Sequence, residues 1–256
     1  MFYHNLNPVI FKLGFLEIRY YGLMYLLGII LSYAIVLRIL KGSKIKITRH
    51  QLNDIFFYSV LGLIIGGRLG YCFIYTLPYT ISHPLSIFEI WQGGMSFHSG
   101  FALALLFGWL YCRKHKIPFL ELGDIIITPV PLALALGRVG NFINGELWGR
   151  PSSLPWAFYF PLAPDRGTLP RHPSQIYEVL KNIVIFSVLW LLVRKKHKPG
   201  TLLFSFILLY GSLRIIVEFF RQPEIIFLGV TMGQWLCIPM VLIGAGWLAK
   251  NYIIKK

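Results

Sequence analysis

Seven runs of mostly apolar residues lie near 20–38, 54–75, 95–112, 124–142, 176–193, 201–220 and 234–252. Each is close to the roughly 20 residues that a helix needs to cross a bilayer. A soluble domain of this length could not hide so many leucine, isoleucine and phenylalanine side chains from water. Only 14% of the residues are charged, against about 25% in soluble domains. Lipid must therefore act as part of the solvent. The expected fold is an all-α integral membrane protein, a bundle of about seven transmembrane helices forming a single membrane domain over residues 1–256. The stretch 150–173 holds six prolines, and 147–175 is expected to be an outward-facing, periplasmic loop segment. The N-terminus has neither a basic region nor an A-x-A cleavage site, so the first run is expected to stay as an anchor.

Charge placement sets the expected orientation. Loops 38–49, 113–116, 194–198 and 250–256 carry fifteen Lys and Arg, and the alternate loops 1–19, 76–94, 150–173 and 221–233 carry six. That asymmetry puts the N-terminus in the periplasm and the C-terminus in the cytoplasm. The net charge of +15 is thus a topology signal. A nucleic-acid groove would gather its cations on one face, and no nucleic-acid partner is expected. Cys72, Cys112 and Cys237 have no paired spacing, so neither a disulfide framework nor a zinc site is expected.

Ionisable residues inside spans are costly and point to function. Arg68, Arg138, Lys181 and Arg214 are the four cations within the runs. In the expected topology, His98 lies about four residues, roughly 6 Å, below the outer boundary. Arg138, Asn141, Asn144 and Glu146 end the fourth span at that level. Arg214 and Glu218 end the sixth, Arg68 is in the outer half of the second, and Tyr20 and Tyr21 open the first. A conduit would spread polar groups through the whole depth, whereas a site acting on a lipid headgroup needs them at one level. Buried arginines want an anion, and the guanidinium fork matches phosphate. His98 has the residue type for a general base at neutral pH. The residues alone lead as far as a phosphate-bearing lipid held beside a base.

The run Gly137-Arg138-Val139-Gly140-Asn141-Phe142-Ile143-Asn144-Gly145-Glu146-Leu147-Trp148-Gly149-Arg150 closely resembles the signature of the prolipoprotein diacylglyceryl transferase family. Arg19–Tyr25, Gly93–His98, Arg171–Gln175 and Arg214–Arg221 resemble four more of its segments. The resemblance implies a multi-pass enzyme of the bacterial inner membrane. Such an enzyme moves the diacylglyceryl group of phosphatidylglycerol onto the lipobox cysteine of a preprolipoprotein signal sequence. A thioether forms and glycerol 1-phosphate leaves, the first step of lipoprotein maturation. By the same resemblance His98, Arg138, Arg214, Glu146 and Tyr21 are catalytic, with His98 the proposed base. Arg138, Asn141, Glu146, Gly149, Tyr210, Arg214 and Glu218 contact phosphatidylglycerol. No metal or other cofactor is implied. One departure is Ser99, where the family usually has glycine; the helix is expected to pack unchanged.

Plainer readings stand beside these. Arg214 and Glu218, four apart, could neutralise each other. His98 could be an interhelical hydrogen-bonder, and Arg68 could bind lipid or pair with Glu89. Tyr20, Trp91, Trp148 and Trp156 read as interfacial aromatics. His172-Pro173 with Ser174 as an N-cap could simply start the fifth span. A transporter would show inverted repeats and polar groups reaching both faces, and the sequence has neither.

Overall fold

Apolar length dictates most of the architecture, and caps and prolines set its boundaries. The computed structural model describes residues 1–13, 16–90, 94–223 and 225–254. Trp91 and Gly93, singled out above, lie outside them. Among the described residues six helices are long and apolar enough to cross a membrane: Tyr20–Lys41, Arg49–Tyr75, Phe119–Asn144, Ser174–Leu192, Thr201–Glu218 and Met232–Ile253. The protein is a multi-pass, all-α membrane protein. The expected third run is also a helix, Phe97–Lys114, but His98, Arg113 and Lys114 at its ends dilute its apolar character.

The chain divides into two compact units, Met1–Ser43 with Gly123–Lys256, and Lys44–Leu122. The smaller unit pairs α2 (Arg49–Gly70) with α4 (Phe97–Lys114), and the short α3 (Leu77–Ser82) lies between them in sequence. The helix α2 opens on a capping box in which Thr48 and Gln51 satisfy each other's backbone amides. Small residues let α2 and α4 approach closely: a Cβ on Gly66 would sit 2.5 Å from the Ser99 carbonyl oxygen. Ser99 itself fills room left by Gly70, where an added Cβ would lie 2.0 Å from its Oγ. Arg68 is buried and donates to the carbonyl oxygens of Ile87 (3.1 Å), Gly94 (3.4 Å) and Ser86. These bonds tie Ser86, Ile87 and Gly94 to the end of α2.

In the larger unit α1 (Tyr20–Lys41) packs on α6 (Val130–Asn144), α6 on α7 (Ser174–Leu192), α7 on α8 (Thr201–Glu218), and α8 on α9 (Met232–Leu248). The helix α1 buries only Gly28, Ser32 and Val36, and leaves Leu26, Ile29 and Ile30 exposed, as a lipid-facing surface requires. The fourth expected span is interrupted. Its first part, α5, covers Phe119–Ile127, and α6 starts one turn later, with Pro129 at its N-cap and Pro131 in its first turn.

Short strands add to the expected helices. A hairpin of β2 (Val9–Leu13) and β3 (Leu16–Arg19) precedes α1. A small sheet joins β1 (Phe2–Tyr3) in parallel to β4 (Phe158–Tyr159), which runs antiparallel to β5 (Pro170–Arg171). Asp165 fastens this segment: it accepts from the Leu169 amide at 2.9 Å and pairs with Arg171 at 2.5 Å.

Candidate active site

Three helices of the larger unit deliver polar side chains to one level. The helix α6 ends there on Gly145, whose left-handed backbone (φ 67°) turns the chain into Glu146. The helix α7 begins there, and α8 ends there. Ser174 is the first residue of α7 and not its cap, correcting the expectation. Pro173 takes the cap position, and Ser174 Oγ donates to the Leu147 carbonyl at 2.8 Å.

At the centre of this layer is Glu178, its side chain 1% exposed. Arg214 Nη1 donates to its Oε1, Lys181 Nζ to its Oε2 at 2.6 Å, and Arg138 Nε lies 3.9 Å from Oε2. Arg214 also reaches Glu218 at 2.8 Å, and Arg221 approaches the same carboxylate at 3.6 Å. Lys181 Nζ stands 4.0 Å from the centre of the buried Tyr210 ring. On its outer side Arg138 Nη1 donates to Asn141 Oδ1 (3.2 Å), and the Asn141 amide donates to Glu146 Oε1 (2.8 Å), which also accepts from Asn144 (3.2 Å). The Glu146 backbone carbonyl accepts from Gln175 at 2.6 Å. Every carboxylate in this layer is therefore held by cations or amides, as burial requires.

Of the residues singled out from sequence, Arg138, Asn141, Glu146, Arg214 and Glu218 thus meet through a continuous chain of polar contacts, with Tyr210 stacked beneath Lys181. The intrahelical Arg214–Glu218 pair is real, yet the same guanidinium also reaches another helix. Tyr21 packs against α6, where a Cβ on Gly140 would lie 3.0 Å from its Cα, and it is within electrostatic reach of Glu146 and Arg138. Gly149 serves a backbone crossing. It pairs with Arg221, its amide donates to the His172 carbonyl at 2.8 Å, and a Cβ there would lie 2.4 Å from the Phe220 carbonyl oxygen. His98 is in the first turn of α4 in the smaller unit, half-buried, its ring 5.7 Å from that of Phe97.

Sequence reasoning passed over Glu178, Gln175 and Arg221 as members of this layer, and counted Lys181 without giving it a role. A signal was present: Glu178 and Lys181, three apart in an otherwise apolar run, lie on one helix face. Outside the spans, burial and then repulsion from Arg214 and Arg138 lower the Arg221 guanidinium to about 10, so it remains charged at neutral pH. Burial likewise lowers the His172 imidazole.

A layer of this kind can grip an anion. Two guanidiniums from different helices converge on one carboxylate, and the Arg138 side chain is 23% exposed and that of Arg214 11%. The family model for prolipoprotein diacylglyceryl transferase matches residues 8–250. Proteins named phosphatidylglycerol–prolipoprotein diacylglyceryl transferase are similar over nearly the whole chain. The Bordetella parapertussis protein is 47% identical over 250 residues, covering 95% of both chains. That of Legionella pneumophila is 45% identical over 256 residues, covering 97% of this chain and 99% of its own. That of Coxiella burnetii is 42% identical over 260 residues, covering 98% of both. With its apolar helices and a match of that extent, the chain belongs to the prolipoprotein diacylglyceryl transferase family.

Proposed function

We propose that the chain transfers the diacylglyceryl group of phosphatidylglycerol to the lipobox cysteine of preprolipoproteins at the bacterial inner membrane, the first step of lipoprotein maturation. The observation that carries this reading is the meeting of Arg138 and Arg214 on Glu178. The fork of each guanidinium fits a phosphate oxygen pair, and a phospholipid headgroup is the abundant anion at a membrane surface. Fifteen Lys and Arg on one set of loops against six on the other support a periplasmic N-terminus and a cytoplasmic C-terminus, with α4 counted as a seventh span. The whole of 1–256 then acts as one membrane domain, with 147–175 outside.

In this reading Arg138 and Arg214 hold the lipid phosphate, and Asn141 and Glu146 fix Arg138. Tyr210 and Glu218 support Arg214, Tyr21 borders the lipid, and Gly149 lets the outer segment close over it. The cysteine thiol, with a usual pKa near 8.5, must lose its proton to attack, and His98 takes it. Sulfur then bonds to the glycerol carbon that carries the phosphate. The carbon–oxygen bond breaks, and its electron pair leaves on the phosphate oxygen. The products are the thioether and glycerol 1-phosphate. Fixed guanidinium donors stabilise the charge growing on that oxygen better than water would.

The test is mass spectrometry of a lipobox peptide incubated with purified protein and phosphatidylglycerol. The expected result is a mass gain of one diacylglyceryl group. An unmodified peptide, while the Legionella relative works in parallel, would refute the proposal.

A further inference from the structure

We propose that the same layer is matched to a phosphate bearing two negative charges, so that it holds a phosphate monoester more tightly than a lipid diester, and that Lys181 supplies the second positive charge. The inference rests on the transferase reading for the identity of that monoester, glycerol 1-phosphate.

Charge balance carries the argument. Among the described residues four cations, Arg138, Lys181, Arg214 and Arg221, face two carboxylates, Glu178 and Glu218. Glu146 is one hydrogen bond further out, reached through Asn141 and already held by two amides; it is partly exposed and so screened by water. The inner layer therefore keeps an excess of two positive charges in a poorly solvated place, which is costly unless an anion completes it. Arg221 shows the deficit directly. Its side chain is 9% exposed, yet among the described residues neither Nε nor Nη1 has a hydrogen-bond partner. Burying guanidinium donors without acceptors is unfavourable, and phosphate oxygens are suited to fill them.

Lys181 decides how much charge is left over. Its side chain is 2% exposed, and its ammonium sits 2.6 Å from Glu178 Oε2 and is covered by the Tyr210 ring. It cannot easily reach a ligand itself. It neutralises Glu178, which would otherwise cancel one guanidinium, and so leaves the forks of Arg138 and Arg214 charged toward an incoming phosphate. The substrate phosphate is a diester with one charge. When the carbon–oxygen bond breaks, the departing monoester has two, its second pKa being about 6. A site with two spare positive charges favours that later state, which lowers the barrier and makes product release slow.

Equilibrium binding tests this without needing turnover. Full-length protein in detergent at pH 7, above the second pKa of the monoester at about 6, is titrated calorimetrically with glycerol 1-phosphate and, separately, with glycerophosphoglycerol, the deacylated diester headgroup. The expected result is at least tenfold tighter binding of the monoester, and collapse of that ratio toward one in Lys181→Met. A merely structural role for Lys181 would weaken both ligands together and leave the ratio intact, which would overturn the assignment to Lys181. Equal binding of the two ligands by the wild-type protein, or tighter binding of the diester, would overturn the charge match. The wild-type ratio decides the matter if Lys181→Met does not fold. A clear monoester preference in protein that fails to modify the lipobox peptide would count against the transferase reading and leave the charge match standing.

Discussion

Two buried carboxylates in the larger unit meet their needs in opposite ways. Glu178 is surrounded by the cations Arg138, Lys181 and Arg214. Asp124, 2% exposed, accepts from the backbone amides of Gly200 (2.8 Å) and Leu203 (2.9 Å) at the start of α8, with His197 Nδ1 at 3.6 Å. The contacts of Glu178 with α8 come near the other end of that helix, roughly 16 Å along it at 1.5 Å per residue. Backbone amides cannot turn to another anion, so Asp124 locks the helix start. The guanidiniums of Arg138 and Arg214 can share themselves between Glu178 and a phosphate. The difference teaches where exchange is possible: the end of α8 that carries cations can trade partners, and the end that carries amides is a fixed joint.

Substitution at each end should separate these roles. The largest effect is expected from Glu178→Ala, which leaves several cations without their counter-charge. A stability loss of about 3–5 kcal/mol, read as a lowered unfolding midpoint in detergent, should accompany loss of transfer. An active, wild-type-stable variant would break the contrast. His98→Gln should lower turnover by roughly 10²–10⁴-fold, the usual range for a removed general base, with phosphatidylglycerol binding kept; unchanged turnover would take His98 out of that role. Arg138→Lys should lower turnover about 10²-fold, because a point charge cannot replace the fork. Near-normal rates would separate Arg138 from the phosphate. Asp124→Ala should cost about 0.5–2 kcal/mol, as a lost helix cap does, and leave turnover per folded molecule intact. A selective loss of turnover there would erase the distinction between the two carboxylates.

The smallest effect concerns the segment 150–173. Burial would raise Asp165, but the Leu169 amide and Arg171 outweigh it and hold its carboxyl below the usual range. A lowered folded-state value means that stability is fully present above the unfolded value, about 3.9. That stability is lost as pH falls through the folded one. Protease sensitivity within 150–173 should therefore rise below about pH 4, and Asp165→Asn should remove the dependence. A flat profile in the wild-type protein would show that this carboxylate does not fasten the segment.

The helices were legible because apolar length in a membrane admits few alternatives. Arg138, Glu146, Arg214 and Glu218 were legible because polar groups at the ends of apolar runs are conspicuous. Glu178 was not, because it lies one turn into a run whose outer end was already explained by His172-Pro173. The break before α6 was written in Pro129 and Pro131, yet an apolar run reads through prolines that a helix does not. The pairing of Phe2–Tyr3 with Phe158–Tyr159 was beyond reach. Two-residue strands have no periodicity, and nothing local announces a partner so far along the chain.

In the proposed transfer a lipid phosphate docks on the Arg138–Arg214 pair. A structure determined in nanodiscs containing phosphatidylglycerol tests it most directly. Headgroup phosphate oxygens are expected within about 3 Å of guanidinium nitrogens of both arginines. A phosphate bound elsewhere, with Arg138 and Arg214 still engaged only by Glu178 and Glu218, would contradict it.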